Sequence, residues 1–160
     1  MIIKGLIDED FVNYKKPSMV IEFPYCNFKC DKECGQPVCQ NSSLVKEPNI
    51  DISCESIIIR YINNPITEAI VFQGLEPFDS FGEINNFLLW FQHQYHNQDD
   101  VVIYTGYNED EISKEVSALK EIFSNIIIKF GRFIPNQKPH FDEVLGVKLS
   151  SNNQYAKKIC

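Results

Sequence analysis

Met19-Val-Ile-Glu-Phe-Pro-Tyr-Cys26-Asn-Phe-Lys-Cys30-Asp-Lys-Glu-Cys34-Gly-Gln-Pro-Val-Cys39-Gln-Asn-Ser42 joins a short apolar run to a loop that carries four of the chain's six cysteines. Structural cysteines behave as small buried hydrophobes scattered among strands and helices, so four thiols on one loop point to a shared metal centre. Thiolate ligation allows a tetrahedral zinc or an iron–sulfur cluster. Structural zinc usually takes two Cys-x2-4-Cys hooks separated by a longer stretch, whereas these cysteines step along one loop as C-x3-C-x3-C-x4-C. A single loop that turns at Gly35 and Pro37 suits the successive corners of a cluster better.

Around that stretch the composition is ordinary. A chain of 160 residues with 44% hydrophobic content is expected to form one domain with a sizeable core, and no run approaches a membrane span. The first residues show no basic region followed by an apolar core and a small-residue cleavage site, so no secretion signal is expected and the cytoplasm is the default compartment. Six cysteines in that reducing setting argue for metal or reactive thiols over disulfides. A net charge of −7 and a pI near 4.9 argue against a nucleic-acid partner, which needs clustered Lys and Arg.

The periodicity predicts an α/β chain. Residues 2–7 read as a short strand, 8–16 as a polar loop and 18–23 as the first well-marked strand, with the cysteines at its C-terminal end. Asp51 can cap a helix to residue 63, on which Cys54 reads as a small buried hydrophobe. Residues 69–73 form a strand-length apolar run. Ser80 and Glu83 form a capping-box pattern for a helix to residue 96, with Phe81, Ile84, Phe87, Leu88, Phe91 and Tyr95 as its core stripe. His93 and His96, three apart, read as a solvated helix end, because no Asp or Cys completes a ligand set. Residues 101–107 give a strand and turn, Asn108 and Glu111 a second capping box, and 125–130 a fourth strand. Residues 131–142 read as a loop, 145–154 as a polar end, and Cys160 as a mobile terminal thiol. Apolar strands alternating with amphipathic helices imply a mainly parallel sheet.

Pro24-Tyr25-Cys26-x3-Cys30, with a third cysteine in the context Val38-Cys39-Gln40-Asn41-Ser42, resembles the cluster loop of radical S-adenosylmethionine (radical SAM) enzymes. It is most similar to the small activases of glycyl-radical enzymes, above all those of anaerobic ribonucleotide reductase. In that family three cysteines spaced C-x3-C-x2-C bind a [4Fe–4S] cluster and leave one iron open for SAM. The resemblance implies Cys26, Cys30 and Cys39 as ligands, with residues 31–36 as a local insertion and a departing spacing of C-x3-C-x8-C. Cys34 is the alternative third ligand. Gln73-Gly74-Leu75-Glu76-Pro77 resembles the family's Gly-Gly-Glu-Pro motif, with Leu75 in place of the second glycine. That match implies that the Gly74 backbone and the Glu76 carboxylate hold the SAM amino group, a sensible partnership for an ammonium. Tyr104-Thr105-Gly106-Tyr107 is similar to the activases' segment after the next strand, and adds Tyr104, Thr105 and Gly106, with Asn41, to the implied cofactor-binding residues. Gly131-Arg132-Phe133 and the Ser-Asn-Gln ending at Gln154 extend the likeness over the whole chain, and Asn153 and Gln154 could face the cofactor or a partner.

What the resemblance implies is a partial, open (β/α) barrel, mainly parallel and shorter than the full radical SAM core. Its chemistry would be reductive cleavage of SAM and hydrogen abstraction from a glycine of a partner glycyl-radical enzyme, with no catalytic side chain beyond the cluster and with flavodoxin or ferredoxin as electron donor. Two other readings stay open. Cys26, Cys30, Cys34 and Cys39 together could close a cluster that serves electron transfer or sensing, or the loop could hold zinc in an interaction domain.

Overall fold

Four apolar runs separated by helix-length connections are the requirement for parallel pairing, because a strand can return in the same direction only through a long crossover. The computed structural model describes residues 1–160 and gives ten strands and four α-helices. They are β1 (Ile2–Ile3), β2 (Gly5–Asp10), β3 (Ser18–Phe23), α1 (Lys29–Cys34), β4 (Ile50–Asp51), α2 (Cys54–Ile62) and β5 (Ala69–Gly74). After these come α3 (Phe81–Leu89), β6 (Asp100–Tyr104), α4 (Ser113–Ile122), β7 (Ile126–Phe130), β8 (His140–Asp142), β9 (Val147–Leu149) and β10 (Tyr155–Lys158). The main sheet has the order β10-β7-β6-β5-β3-β2. Its four central strands are parallel, and β2 and β10 pair antiparallel at the two edges, so the sheet is open and forms no closed barrel.

Side chains alternate along each central strand and both faces are covered, which is why these runs are almost continuously apolar. One face sends Ile21, Phe23, Ile70, Phe72, Ile103 and Ile128 against α2, α3 and α4, which contribute Ile57, Ile58, Ile84, Phe87, Leu88, Val116 and Leu119. Phe72 lies at its centre, edge-on to Phe23 at 5.4 Å and to Phe87 at 5.3 Å. The other face carries Val20, Val71, Val102 and Ile127, and is covered by Tyr14, Leu145 and Leu149. Those last residues belong to the loop before β3 and to the β8–β9 hairpin, whose Asp142 carboxylate accepts the backbone N–H groups of Leu145 and Ala156, each at 2.9 Å. No helix is long and apolar enough to cross a membrane.

Several boundaries differ from the sequence reading, each for a local reason. The first strand breaks at Lys4, since β1 pairs with β4 while β2 pairs with β3. β2 runs on to Asp10 in place of the expected polar loop, because an edge strand accommodates charge: Asp8 pairs with Arg60 of α2 and Glu9 is exposed. Asp51 lies in β4, and the cap of α2 is Ser53, whose hydroxyl accepts the Ser56 N–H at 3.0 Å. Ser80 makes no capping bond: a 3-10 turn at Pro77–Ser80 precedes α3, and the Glu76 carboxylate caps that turn through the Phe78 N–H at 3.1 Å. α3 ends at Leu89 and continues as a π-helical turn, Trp90–Gln94. The box at Asn108 does form, with Glu111 accepting the Asn108 N–H at 2.8 Å. β8 and β9 occupy stretches read as loop and polar end, and β10 follows at Tyr155–Lys158, where the sequence suggested no element. Cys160 is partly buried, its thiol 2.9 Å from the Phe123 carbonyl, so it is tied to the core.

Gly74 ends β5 at φ +102°, and a Cβ there would lie 2.7 Å from the Phe23 nitrogen. Replacing it with alanine combines a left-handed backbone with a collision between paired strands. Gly74→Ala should therefore lose at least ~1–2 kcal/mol of stability in urea unfolding; an unchanged midpoint would mean that β3 and β5 separate there at no cost.

Candidate metal centre and pocket

On the face covered by the hairpin, one further step towards the strand ends changes the chemistry. Val71 is followed on the same side by Gln73, Val102 by Tyr104 and Ile127 by Lys129, and these three polar side chains line a cavity of about 290 Å³. It lies at the C-terminal ends of the parallel strands, where the following loops converge. The loop after β3 contributes Cys26, Cys30, Cys39 and Asn41; the turn after β5, Gly74 and Glu76; and the segment after β6, Thr105 and Gly106. The hairpin adds Val147 and Leu149 as a floor, with the exposed Lys148 at the rim. Every site residue expected from the sequence borders this cavity except Cys34, and of the polar C-terminal pair Gln154 borders it and Asn153 does not.

The cysteine loop folds by local rules. The Asn27 side chain accepts the Lys29 N–H at 3.0 Å, Phe28 takes φ +54°, and its N–H points at the Cys26 sulfur 3.2 Å away. α1 then starts, with Cys30 in its first turn and Cys34 at its far end, and Gly35 at φ +66° stops it. The chain turns back, and a single oxygen of Asp31 accepts the N–H groups of Val38 and Cys39, both at 2.8 Å. Asn41 donates to the Gly74 carbonyl at 2.8 Å, fastening the loop to the end of β5. Burial pushes the Cys26 thiol up to about 12, and burial together with the neighbouring Cys39 pushes Cys30 up to about 11. Both are therefore neutral thiols until a metal displaces their protons. No three His, Cys, Asp or Glu side chains converge on the position of one metal ion, though Cys30 and Cys39 are neighbours.

Glu76 is 5% exposed. One carboxylate oxygen accepts from the Phe78 N–H and from the Thr105 hydroxyl at 2.8 Å, and the other accepts the Gly106 N–H at 2.9 Å. It thereby ties the end of β5 to the end of β6. Burial outweighs these bonds and raises its pKa to about 7. Leu75 is not in the left-handed region, so its position does not demand glycine. The Tyr104 hydroxyl donates to the Asn13 carbonyl at 2.5 Å.

Lys129 was not singled out by the sequence reading. Its ammonium is buried, donates to the Gly131 carbonyl at 2.8 Å, and has no ion-pair partner; desolvation brings its pKa down to about 8. The signal was present as the one cation in Ile-Ile-Ile-Lys-Phe. Arg132, also missed, pairs with Glu111 at 2.6 Å and with Glu33 of α1 at 3.4 Å, while Lys29 of α1 reaches Glu111 at 2.8 Å. Arg132 above all holds the Glu111 carboxyl down at about 2.

A family described as a 4Fe-4S single cluster domain matches residues 18–156. The chain belongs to that family. It is grouped in the radical SAM clan. No curated protein and no solved structure matches the chain significantly. The donor set fits the family's cluster, since three cysteine sulfurs line one wall of a cavity beside residues able to bind a further ligand.

The Glu111 links imply a measurable local effect. A carboxyl depressed in the folded state stabilises fully above its unfolded value near 4.5, and that contribution is lost as pH falls towards about 2. In cluster-free protein, Glu111→Gln should speed amide exchange in α1 relative to the sheet, and acidifying the wild type from pH 4.5 to 2 should do the same. Equal protection of α1 in both proteins at neutral pH would show that these ion pairs do not hold the loop.

Proposed function

We propose that the chain is a radical SAM enzyme of the glycyl-radical activase type and that its open sheet is a shortened partial (β/α) barrel. The observation that carries this reading is the cavity that gathers Cys26, Cys30 and Cys39 with a buried carboxylate, Glu76, and a buried ammonium, Lys129. On this reading the three cysteines hold a [4Fe–4S] cluster with one iron left for SAM, and Cys34 is a spare thiol.

When bound and reduced, the group held by these cysteines would supply the one-electron chemistry for reductive cleavage of SAM and hydrogen abstraction from a partner's glycine. The chain's own residues bind and orient. Glu76 has hydrogen-bonding capacity left on the oxygen that accepts from Gly106, and takes the amino group of SAM; Thr105 and Gly106 fix its direction. Lys129, lacking a counter-ion, takes a carboxylate. Asn41 acts through Gly74, by holding its carbonyl in place, and Tyr104 forms part of the wall. The rim includes the exposed side chains of Val12, Gln40 and Lys148, where a loop of a partner glycyl-radical enzyme can enter. Flavodoxin or ferredoxin is the proposed electron donor, and the cytoplasm the proposed location.

The decisive test is anaerobic reconstitution followed by an assay for dithionite-dependent 5′-deoxyadenosine from SAM; an intact cluster without that product would sink the enzyme reading. Glu76→Gln and Lys129→Met should each weaken SAM binding by about ten- to a hundred-fold, the loss of roughly 1.5–3 kcal/mol of charge-assisted bonding, with iron content unchanged. Unaltered affinity in both variants would reduce these groups to structural ties. Cys39→Ala should lose most cluster iron and Cys34→Ala should keep it; the reverse would make the ligand spacing C-x3-C-x3-C.

A further inference from the structure

The spacing between Cys30 and Cys39 leaves eight intervening residues, far more than a ligand loop needs to bring two thiols to one centre. Part of that length is taken up by α1, which carries Cys34 out of the cavity, and Gly35 reverses the chain. The backbone of the returning residues 37–40 makes no hydrogen bond to α1 except those accepted by Asp31. Both of those reach one oxygen at 2.8 Å, and the same oxygen lies 3.9 Å from the Cys30 sulfur.

We infer that Asp31 is the positioning residue of the metal centre: its carboxylate holds the backbone of Val38 and Cys39 against the first turn of α1 and so sets the third thiol beside Cys30. Asp31 ligates nothing. It replaces, through one side chain, the short covalent spacing that would otherwise fix the third cysteine. Two backbone N–H groups sharing one carboxylate oxygen are charge-assisted bonds, and their loss frees the return limb from α1, leaving it fastened only further on, where Asn41 donates to the Gly74 carbonyl. The inference rests on Cys39 being a cluster ligand, the reading given above.

The test compares wild type, Asp31→Ala and Asp31→Asn, each first free of cluster and then reconstituted anaerobically. Asparagine keeps a carbonyl oxygen that can accept both N–H groups, while alanine keeps none. In cluster-free protein, the Val38 and Cys39 amides should be protected from exchange in wild type and Asp31→Asn and exposed in Asp31→Ala. After reconstitution, Asp31→Ala should release iron to a chelator about 10- to 100-fold faster than wild type, the range seen when groups that orient metal ligands are removed, and Asp31→Asn should recover most of that loss. Full iron content and wild-type release in Asp31→Ala, despite exposed amides, would overturn the inference. So would equal protection of the two amides in all three proteins. Retention of the cluster in Cys39→Ala, with Asp31 intact, would instead overturn the ligand reading beneath it, and is recognised without reference to Asp31.

Discussion

The constraint on which this structure depends is that neighbouring side chains of a strand must face opposite ways. In β3, β5, β6 and β7 it commits one set of residues to the helices and the other to the hairpin, so neither face can be polar along most of its length. The commitment lapses only where the hairpin stops. There the same register places Gln73, Tyr104 and Lys129 side by side, and the cavity follows from the strands reaching further than their cover. Parallel pairing adds the second ingredient, because it delivers all the loops that follow these strands to the same edge.

Electrostatics sharpens that edge. The chain carries a net charge of −7, yet Lys29, Lys129, Arg132 and Lys148 border one cavity whose buried acid is Glu76. Glu33 and Glu111 engage Arg132, and Glu111 also engages Lys29, which leaves Lys129 as the deep cation with backbone carbonyls alone for company. A charge held this way is costly and persists only where the surrounding structure fixes it. Glu76 is held differently, by three donors from two loops, so the group that borders the cavity also joins the strand ends.

Much of the fold could be read from the residues. The four central strands are apolar runs of the right length, and the Ile84, Phe87, Leu88 and Phe91 stripe marks α3 as plainly as any helix can be marked. β8, β9 and β10 could not be read: they are three or four residues long, and Tyr-Ala-Lys-Lys alternates too weakly to announce an edge strand that exists because β7 offers it a partner. Cap choices failed where tertiary contacts chose between adequate candidates. Ser53 prevails over Asp51 because β1 claims the latter for pairing, and Glu76 prevails over Ser80 because its carboxylate is already fixed to Thr105 and Gly106. The cysteines, Glu76 and Gly106 were legible through the turns they occupy, whereas Lys129, inside β7, was not. Which of Cys34 and Cys39 borders the cavity was not legible from spacing, since it turns on six residues folding into a helical turn and on a side-chain bond between Asp31 and amides further along the chain.

The β8–β9 hairpin separates two properties that most sites keep together. The walls of the cavity combine the ends of parallel strands with the loops that follow them, and the strand residues there also hold up the sheet. The floor comes from strands of three residues each, joined by a short local turn and attached through Tyr14, Leu145, Leu149 and Asp142. Depth is thus an independent variable: a hairpin one pair longer or shorter would give a shallower or deeper chamber while leaving the cysteines, the strand ends and their register where they are. Size selection can drift or be engineered in such a molecule without trading against the stability of its metal-bearing edge.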